Sequence, residues 1–347
     1  MQRQVLVNAI LIVVGTLRGA GAIVVLWLVA PTIETFLGWQ IVSGVVGSGI
    51  FLVATWRSLP AQGQAARFDI AVFRGVWKYA AAVSANAIIG IILNQLDKVI
   101  LSRMLSLEMF GYYTLAGTVG STIWMIILPF NSAIFPRFVQ LHELSQPEEL
   151  RLFFHRTSQL LSLFLFPACA LIIVFSKEIL SLWLHDPAIV QHCHLIVSLL
   201  VCGTMINGMA SVPGYSASAF GWPQLITYTN AVQAIIVVPL IIGLTYKYQG
   251  VGAAVAWIVL NSTYIVFMVP AYFRRYFVED RDAWYWRDVA VPAVTAFTIC
   301  ICGFVVSPSA SSSQLVVASW LVLVGAIALI ATGGTLPHVR TLISSWS

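Results

Sequence analysis

The chain has 347 residues, of which 59% are hydrophobic and only 9% charged, against about a quarter charged in soluble domains. So few charges exclude a water-soluble fold of this size, and the net charge of +5 comes with no Lys/Arg run of the kind that binds nucleic acid. Apolar stretches of roughly 20 residues, rather than ~10-residue alternation, exclude a β-barrel and predict an all-α, polytopic transmembrane helix bundle.

Hydropathy places about ten spans at roughly 5–30, 34–56, 78–101, 109–136, 158–182, 193–217, 225–246, 250–273, 288–306 and 314–334. The first apolar stretch continues through Arg18 to Ala30 with no polar cleavage region, so it reads as a span and not as a signal peptide. Arg18 lies ~20 Å into that helix. A charged group at that depth needs a cavity or a partner. Its guanidinium suits phosphate oxygens in a fork geometry, or it bonds carbonyls of a neighbouring helix.

The third span ends in Asn94-Gln95-Leu96-Asp97-Lys98, with Arg103 beyond. Helical spacing puts Asn86, Gly90, Asn94 and Asp97 on one face, and Ser84, Gln95 and Lys98 on another. Asp97 is either a proton or sodium site, or half of an ion pair with Lys98 or Arg103 that fixes the helix near the interface. The segment at roughly 137–157 is amphipathic, and Ser145-Gln146-Pro147-Glu148 has capping-box character with a proline in the first turn. It predicts a short helix along the inner interface.

The sixth span carries Thr204, Asn207, Ser211 and Tyr215 at i, i+3, i+7 and i+11, and Pro213-Gly214 interrupts its outgoing end. One polar stripe on an apolar helix suits a water-filled cavity or interhelical hydrogen bonding. Pro129, Pro136, Pro167 and Pro239 interrupt or end other spans and predict bends. Of the five cysteines only Cys193 has polar neighbours, His192 and His194. Further ligands at metal spacing are missing there, so no metal site is expected.

Lys and Arg set the orientation. With both termini cytoplasmic, 13 of the 18 fall inside, four outside, and Arg18 within a span, as the positive-inside rule requires. Trp56, Trp77, Trp183, Trp284 and Trp286 stand near span ends as interfacial aromatics. No loop much exceeds roughly 20 residues, which argues against a membrane glycosyltransferase or ligase. No phosphate-binding loop is present, and no cofactor is expected. A faint echo relates Val7-Asn8-Ala9-Ile10 to Thr229-Asn230-Ala231-Val232, each followed by a span with a tryptophan, Trp39 and Trp257.

The run NQLDKVILSRMLSLEMFGYYTLAGTV from Asn94, with Gly111-Tyr112-Tyr113, Pro129, Pro136 and Gly250-Val251-Gly252-Ala253-Ala254, resembles bacterial polysaccharide (O-antigen type) flippases of the multidrug/oligosaccharidyl-lipid/polysaccharide exporter superfamily. The likeness covers nearly the whole chain by pattern. It implies a two-lobe exporter fold in which 1–56 closes the first lobe with two spans. Residues 57–77 would then be a cytoplasmic linker, 78–273 the six-span second lobe and 274–347 an appended helix pair and tail. About four helices of the family's first lobe have no counterpart, so the resemblance implies an N-terminally truncated member and leaves open whether Met1 is the true start.

The resemblance further implies a non-enzymatic transporter of the bacterial inner membrane. It would flip an isoprenoid-diphosphate-linked oligosaccharide by alternating access. The substrate-binding candidates are Arg18, Gln95, Lys98, Thr204, Asn207 and Ser211, with Asp97 as the ion-coupling residue. The partners implied are the lipid-linked oligosaccharide, membrane lipids and glycan polymerase machinery. The alternatives are a drug or cation antiporter of the same superfamily, a non-transporting remnant, and a membrane enzyme of glycan assembly.

Overall fold

The computed structural model describes residues 4–58, 70, 77, 95–184, 186–308 and 313–344. It divides into two compact units, Met1–Ala81 and Ala82–Ser347. Among the described residues the secondary structure is helical throughout, as the sequence predicts.

The first unit is a helical hairpin of α1 (Gln4–Leu28) and α2 (Ile33–Ser58). Pro31 follows the end of α1, where a helix cannot continue. Thr32 opens α2 by accepting the Thr35 amide on its hydroxyl at 3.3 Å. The hairpin is tied by Trp39, whose indole N–H donates to the Arg18 carbonyl at 3.1 Å.

The second unit begins with α3 (95–104) and α4 (Leu107–Ser121), a tight pair in which the Ser106 hydroxyl caps α4 by accepting the Met109 amide. There follow α5 (Trp124–Glu143), α6 (Pro147–Val174), α7 (Ser176–Trp183) and α8 (Pro187–Ala219). Next comes α9 (Gln224–Thr263), continued by a π-helical turn (Tyr264–Met268) and α10 (Val269–Arg275). A 3-10 turn (Val278–Asp280), α11 (Arg281–Ala283) and a second π-helical turn (Trp284–Ala290) lead into α12 (Val291–Val305), α13 (Gln314–Thr335) and α14 (Pro337–Ser344).

α6 and α8 form the centre. They pack on one another, α8 also on α4, α5 and α9, and α6 on α12 and α13. In their most apolar stretches 56% of residues are buried, against 6% and 11% in α1 and α2. Lipid tails offer no hydrophobic drive for helix pairing, so close van der Waals approach has to hold such a bundle. Gly208 shows how: a methyl group there would lie 2.8 Å from Ile127 and 2.9 Å from Leu165. With any larger residue there, the Ile127 and Leu165 side chains would have to shift for α8 to seat against α5 and α6.

Eight stretches of the described residues are long and apolar enough to cross a membrane. The longest, Gln224–Arg275, reverses at Gln249, which has φ 52° and ψ −134°. The reversal makes its two arms the seventh and eighth predicted spans. The arms touch so closely that a methyl group on Gly252 would stand 2.1 Å from the Leu244 carbonyl oxygen. The predicted third span, 78–101, lies outside the described residues except for its end, as do Ser84, Asn86, Gly90, Asn94 and nearly all of the 57–77 linker.

Four local expectations need correction. The segment before the fifth span is not a separate interfacial helix: α6 runs unbroken from Pro147 into the apolar stretch. Ser145 is not its cap, because it sits in the chain reversal at φ 52°, and Gln146 precedes the proline-led first turn. Pro213-Gly214 does not interrupt the sixth span, since α8 continues to Ala219. Trp284 is not interfacial. The π-helical turn carries it inward to 0% exposure, where its indole donates to the Ser158 hydroxyl at 3.1 Å, while Trp286 on the same turn is 70% exposed.

Candidate functional site

The polar stripe of α8 opens onto a cavity of about 460 Å³, inside the second unit. Its lining comes from α3, α4, α5, α8 and both arms of α9 with the π-helical turn beyond. Asn207, Ser211 and Tyr215 face it over about two helical turns, because i, i+4 and i+8 share one face. A smaller cavity of about 210 Å³ adjoins it, and Asp97, Tyr113, Trp124 and Trp257 line both. Thr204, the first member of the stripe, opens onto the smaller one, where its hydroxyl accepts the Trp257 indole N–H at 3.3 Å.

A chain of carboxamides and hydroxyls crosses the larger cavity. Asn207 donates to Asn261 at 2.7 Å, and Asn261 donates to the Trp257 carbonyl at 2.7 Å. The Tyr264 hydroxyl donates to Asn230 at 2.6 Å, tying the two arms of α9. Gln233 donates to Thr263 at 2.7 Å and to the Leu260 carbonyl at 3.0 Å. Ser211 donates to Asn131 at 3.2 Å and to the Gly208 carbonyl at 2.6 Å. Among the described residues five buried polar atoms have no partner, and two of them belong to residues that line this cavity: Nδ2 of Asn131 and Oδ1 of Asp97. Among the described residues Asp97 accepts the Tyr113 hydroxyl alone, on Oδ2 at 3.1 Å. A buried polar atom without a partner is costly, so both mark places for water, an ion or a ligand.

The expected residues fall as follows. Asp97 and Lys98 both reach the smaller cavity, although adjacent in sequence, because a step of about 100° leaves them flanking one seam. The expected alternative of an Asp97 ion pair with Lys98 or Arg103 is not formed among the described residues. Gln95 is exposed on α3 and lines neither cavity. Thr204, Asn207 and Ser211 share one polar system with Asp97. Arg18 stands in the first unit, exposed, its side chain donating to Gln40 of α2. That bond goes to a side chain, not to the helix carbonyls that the sequence left as an alternative.

Other functional candidates are visible only in three dimensions. Asn131 on α5, Asn230 and Gln233 on one arm of α9, and Asn261 on the other were not singled out from the sequence. The usable signals were the i, i+3 spacing of Asn230 and Gln233 and the i, i+4, i+7 spacing of Trp257, Asn261 and Tyr264 on otherwise apolar helices.

A second polar cluster lies on α6. Arg151 grips Asp280 with two parallel bonds of 2.7 and 2.6 Å. His155 bonds Asp288 through Nδ1 and stands 3.5 Å from Asp280 through Nε2. Asp288, 0% exposed, also accepts from Gln159 at 2.8 Å and Arg287 at 3.1 Å. Gln159 in turn accepts the backbone amide of His338 on α14 at 3.1 Å. Every carboxylate oxygen here is engaged, and the network joins α6 to the turn before α12 and to α14. The His192–Cys193–His194 group serves packing. Cys193 is buried against the Tyr112 carbonyl, and His192 stacks on the Tyr112 ring at 5.0 Å.

An all-helical bundle with eight stretches long and apolar enough to cross a membrane and a polar cavity inside one compact unit defines a class, the multi-pass membrane proteins. The comparisons narrow it. Residues 4–187 match the family model described as "Polysaccharide biosynthesis protein", and the chain belongs to that family. Over 190 residues it is 19% identical to a Shigella flexneri protein provisionally named as an O-antigen transporter, covering 55% of this chain and 44% of that relative. The chain therefore spans less than half of that relative's length. Its fold is similar to that of the lipid II flippase MurJ in an inward closed conformation, with a TM-score of 0.68 and 12% identity over 95% of this chain and 67% of MurJ. The expected resemblance to polysaccharide flippases and the polytopic all-α fold both stand.

Proposed function

We propose that this chain takes part in flipping an isoprenoid-diphosphate-linked oligosaccharide across the bacterial inner membrane, with both termini cytoplasmic. It acts as a transporter and not as an enzyme. The observation that carries the reading is the cavity of about 460 Å³ lined by carboxamides, hydroxyls and aromatic rings within the helical bundle of the second unit. Its side chains tie α8 to α5 and α9, and its open volume offers a polar headgroup a passage while the lipid tail stays in hydrocarbon. Membership of a polysaccharide biosynthesis family and the flippase-like fold support it.

Within this proposal Arg18, exposed and held by Gln40, attracts the diphosphate or an acidic sugar. Thr204, Asn207 and Ser211 contact the headgroup, and Lys98 assists at the smaller cavity. Asp97, with its free Oδ1 between the two cavities, carries the coupling proton or sodium ion. Alternating access of two lobes supplies the movement.

One observation favours a second reading. A carboxylate beside Tyr113, Trp124 and Trp257 is also a site for an aromatic-caged cation, as a drug antiporter needs. Reconstituted vesicles separate the two. A polyprenyl-diphosphate-linked oligosaccharide is placed in one leaflet, and its arrival in the other is read with an impermeant lectin. Flipping by the chain, reduced in Arg18→Ala and made insensitive to the ion gradient in Asp97→Asn, supports the proposal. Gradient-driven uptake of an organic cation with no glycan movement would favour the antiporter.

A further inference from the structure

We propose that the larger cavity is a saccharide subsite, which holds uncharged, hydroxyl-bearing sugar rings of the lipid-linked substrate and turns its diphosphate away. The inference rests on the flippase reading above and deepens it.

The lining decides the chemistry. Among the described residues it includes five carboxamide side chains and five aromatic ones, with Asp97 the only charged residue and no Lys, Arg or His. A carboxamide carries two donors and an acceptor with two lone pairs. The bonds within the cavity use only part of that capacity: Asn207 reaches Asn261, and Asn230 receives Tyr264. What remains is a mixed set of donors and acceptors, the pattern that matches hydroxyls, which both give and accept. Asn131 is the sharpest sign. It is 1% exposed, it lines the cavity, and its Nδ2 has no partner among the described residues. Trp124 and Trp257 supply flat faces for the C–H side of a sugar ring.

Two other ligands fit worse. A diphosphate calls for Arg or Lys forks and point charges, and here it would meet a carboxylate instead. Lys98 opens onto the smaller cavity only. A hydrophobic cation would satisfy Asp97 at one end but would strip water from the carboxamides without replacing their bonds. The volume of about 460 Å³ lies in the ~300–1,000 Å³ range of small-molecule sites, so part of a glycan fits and a long chain does not.

The test uses the full chain purified in a detergent that bears no sugar. Saturation-transfer NMR reads binding of N,N′-diacetylchitobiose. The expected result is transfer to the sugar ring protons, undisturbed by inorganic diphosphate and abolished by competition from the same disaccharide on a farnesyl diphosphate carrier. That last arm distinguishes lipid-borne from free sugar. Asn131→Ala and Asn261→Ala are expected to weaken binding about tenfold each, and Tyr264→Phe less, with helicity and elution volume unchanged. If one variant fails to fold, the other two carry the test.

The inference is overturned if diphosphate displaces the disaccharide, if the carrier-linked form does not compete, or if folded alanine variants bind like the parent. Absence of disaccharide binding alongside Arg18-dependent binding of the carrier lipid would remove the saccharide subsite and leave the flippase reading intact. Absence of both would bring down the two together.

Discussion

The cavity along α8 and the ionic cluster on α6 are both polar islands in an apolar bundle, yet they satisfy their polar atoms in opposite ways. On α6, Asp280 and Asp288 are surrounded by Arg151, His155, Gln159 and Arg287, and each of their carboxylate oxygens has a partner. Along α8, five carboxamides face about 460 Å³ of open space, and Asn131 and Asp97 keep a buried atom unpaired. Buried charge that is fully paired fixes helices in place. Polar surface left partly unpaired keeps its capacity for a ligand. The first region therefore sets the architecture, and the second is available to cargo.

Substitutions can break or sharpen this contrast. The largest effect is expected from Asp288→Ala, which leaves His155 and Arg287 without their carboxylate. Breaking such a buried pair costs about 3–5 kcal/mol, so the thermal unfolding midpoint in detergent should fall steeply. The disaccharide signal per folded molecule should be unchanged. Asn261→Leu should cost less, about 1–3 kcal/mol, because Asn207 and the Trp257 carbonyl lose their shared partner; transport should fall further than stability does. Asn131→Leu is the sharpest discriminator. It removes a buried amide whose Nδ2 has no partner, and Ser211 keeps its bond to the Gly208 carbonyl, so stability should change by less than about 1 kcal/mol, while glycan transport is lost. A large drop in stability with transport intact would reverse the assignment of the two regions.

The smallest effect concerns the outer edge of the α6 cluster. Burial, with Arg156 and Arg287 nearby, holds the His338 imidazole below its ordinary pKa. The unfolded chain then binds the proton more readily. Stability in α14 is present above the ordinary histidine value of about 6.5 and declines as pH falls through it toward the folded value. Amide exchange in α14, corrected for its intrinsic pH dependence, should quicken between about pH 7 and pH 5.5 in the parent and not in His338→Gln.

Much of this molecule was legible along the chain. The apolar spans, the α8 stripe at helical spacing, and Arg18 and Asp97 as ionisable groups on otherwise apolar segments all follow from period and composition. The polar start of α6 misled for a physical reason. Arg151, His155, Ser158, Gln159 and Ser162 make an amphipathic face that looks toward a water interface, but they pack against the Asp280–Asp288 turn inside the protein. Asp288, between Arg287 and Val289 and close to Trp286, carries no local sign of burial in the sequence; only the π-helical turn brings it inside. Asn131, Asn230 and Asn261 stand on separate helix segments and become one site only when the α9 reversal at Gln249 brings its two arms together. No local pattern encodes that meeting.

The central claim is that the polar headgroup of a lipid-linked glycan enters the cavity along α8. It is tested most directly by placing a benzophenone amino acid at Tyr264, which lines the cavity, and at Tyr246, which is 88% exposed. Membranes containing the chain are irradiated with a polyprenyl-diphosphate-linked oligosaccharide radiolabelled in the sugar. A labelled adduct is expected at position 264, suppressed by excess unlabelled glycolipid, and none at 246. Sugar label at 246 alone, or at neither position with the chain folded, would contradict it.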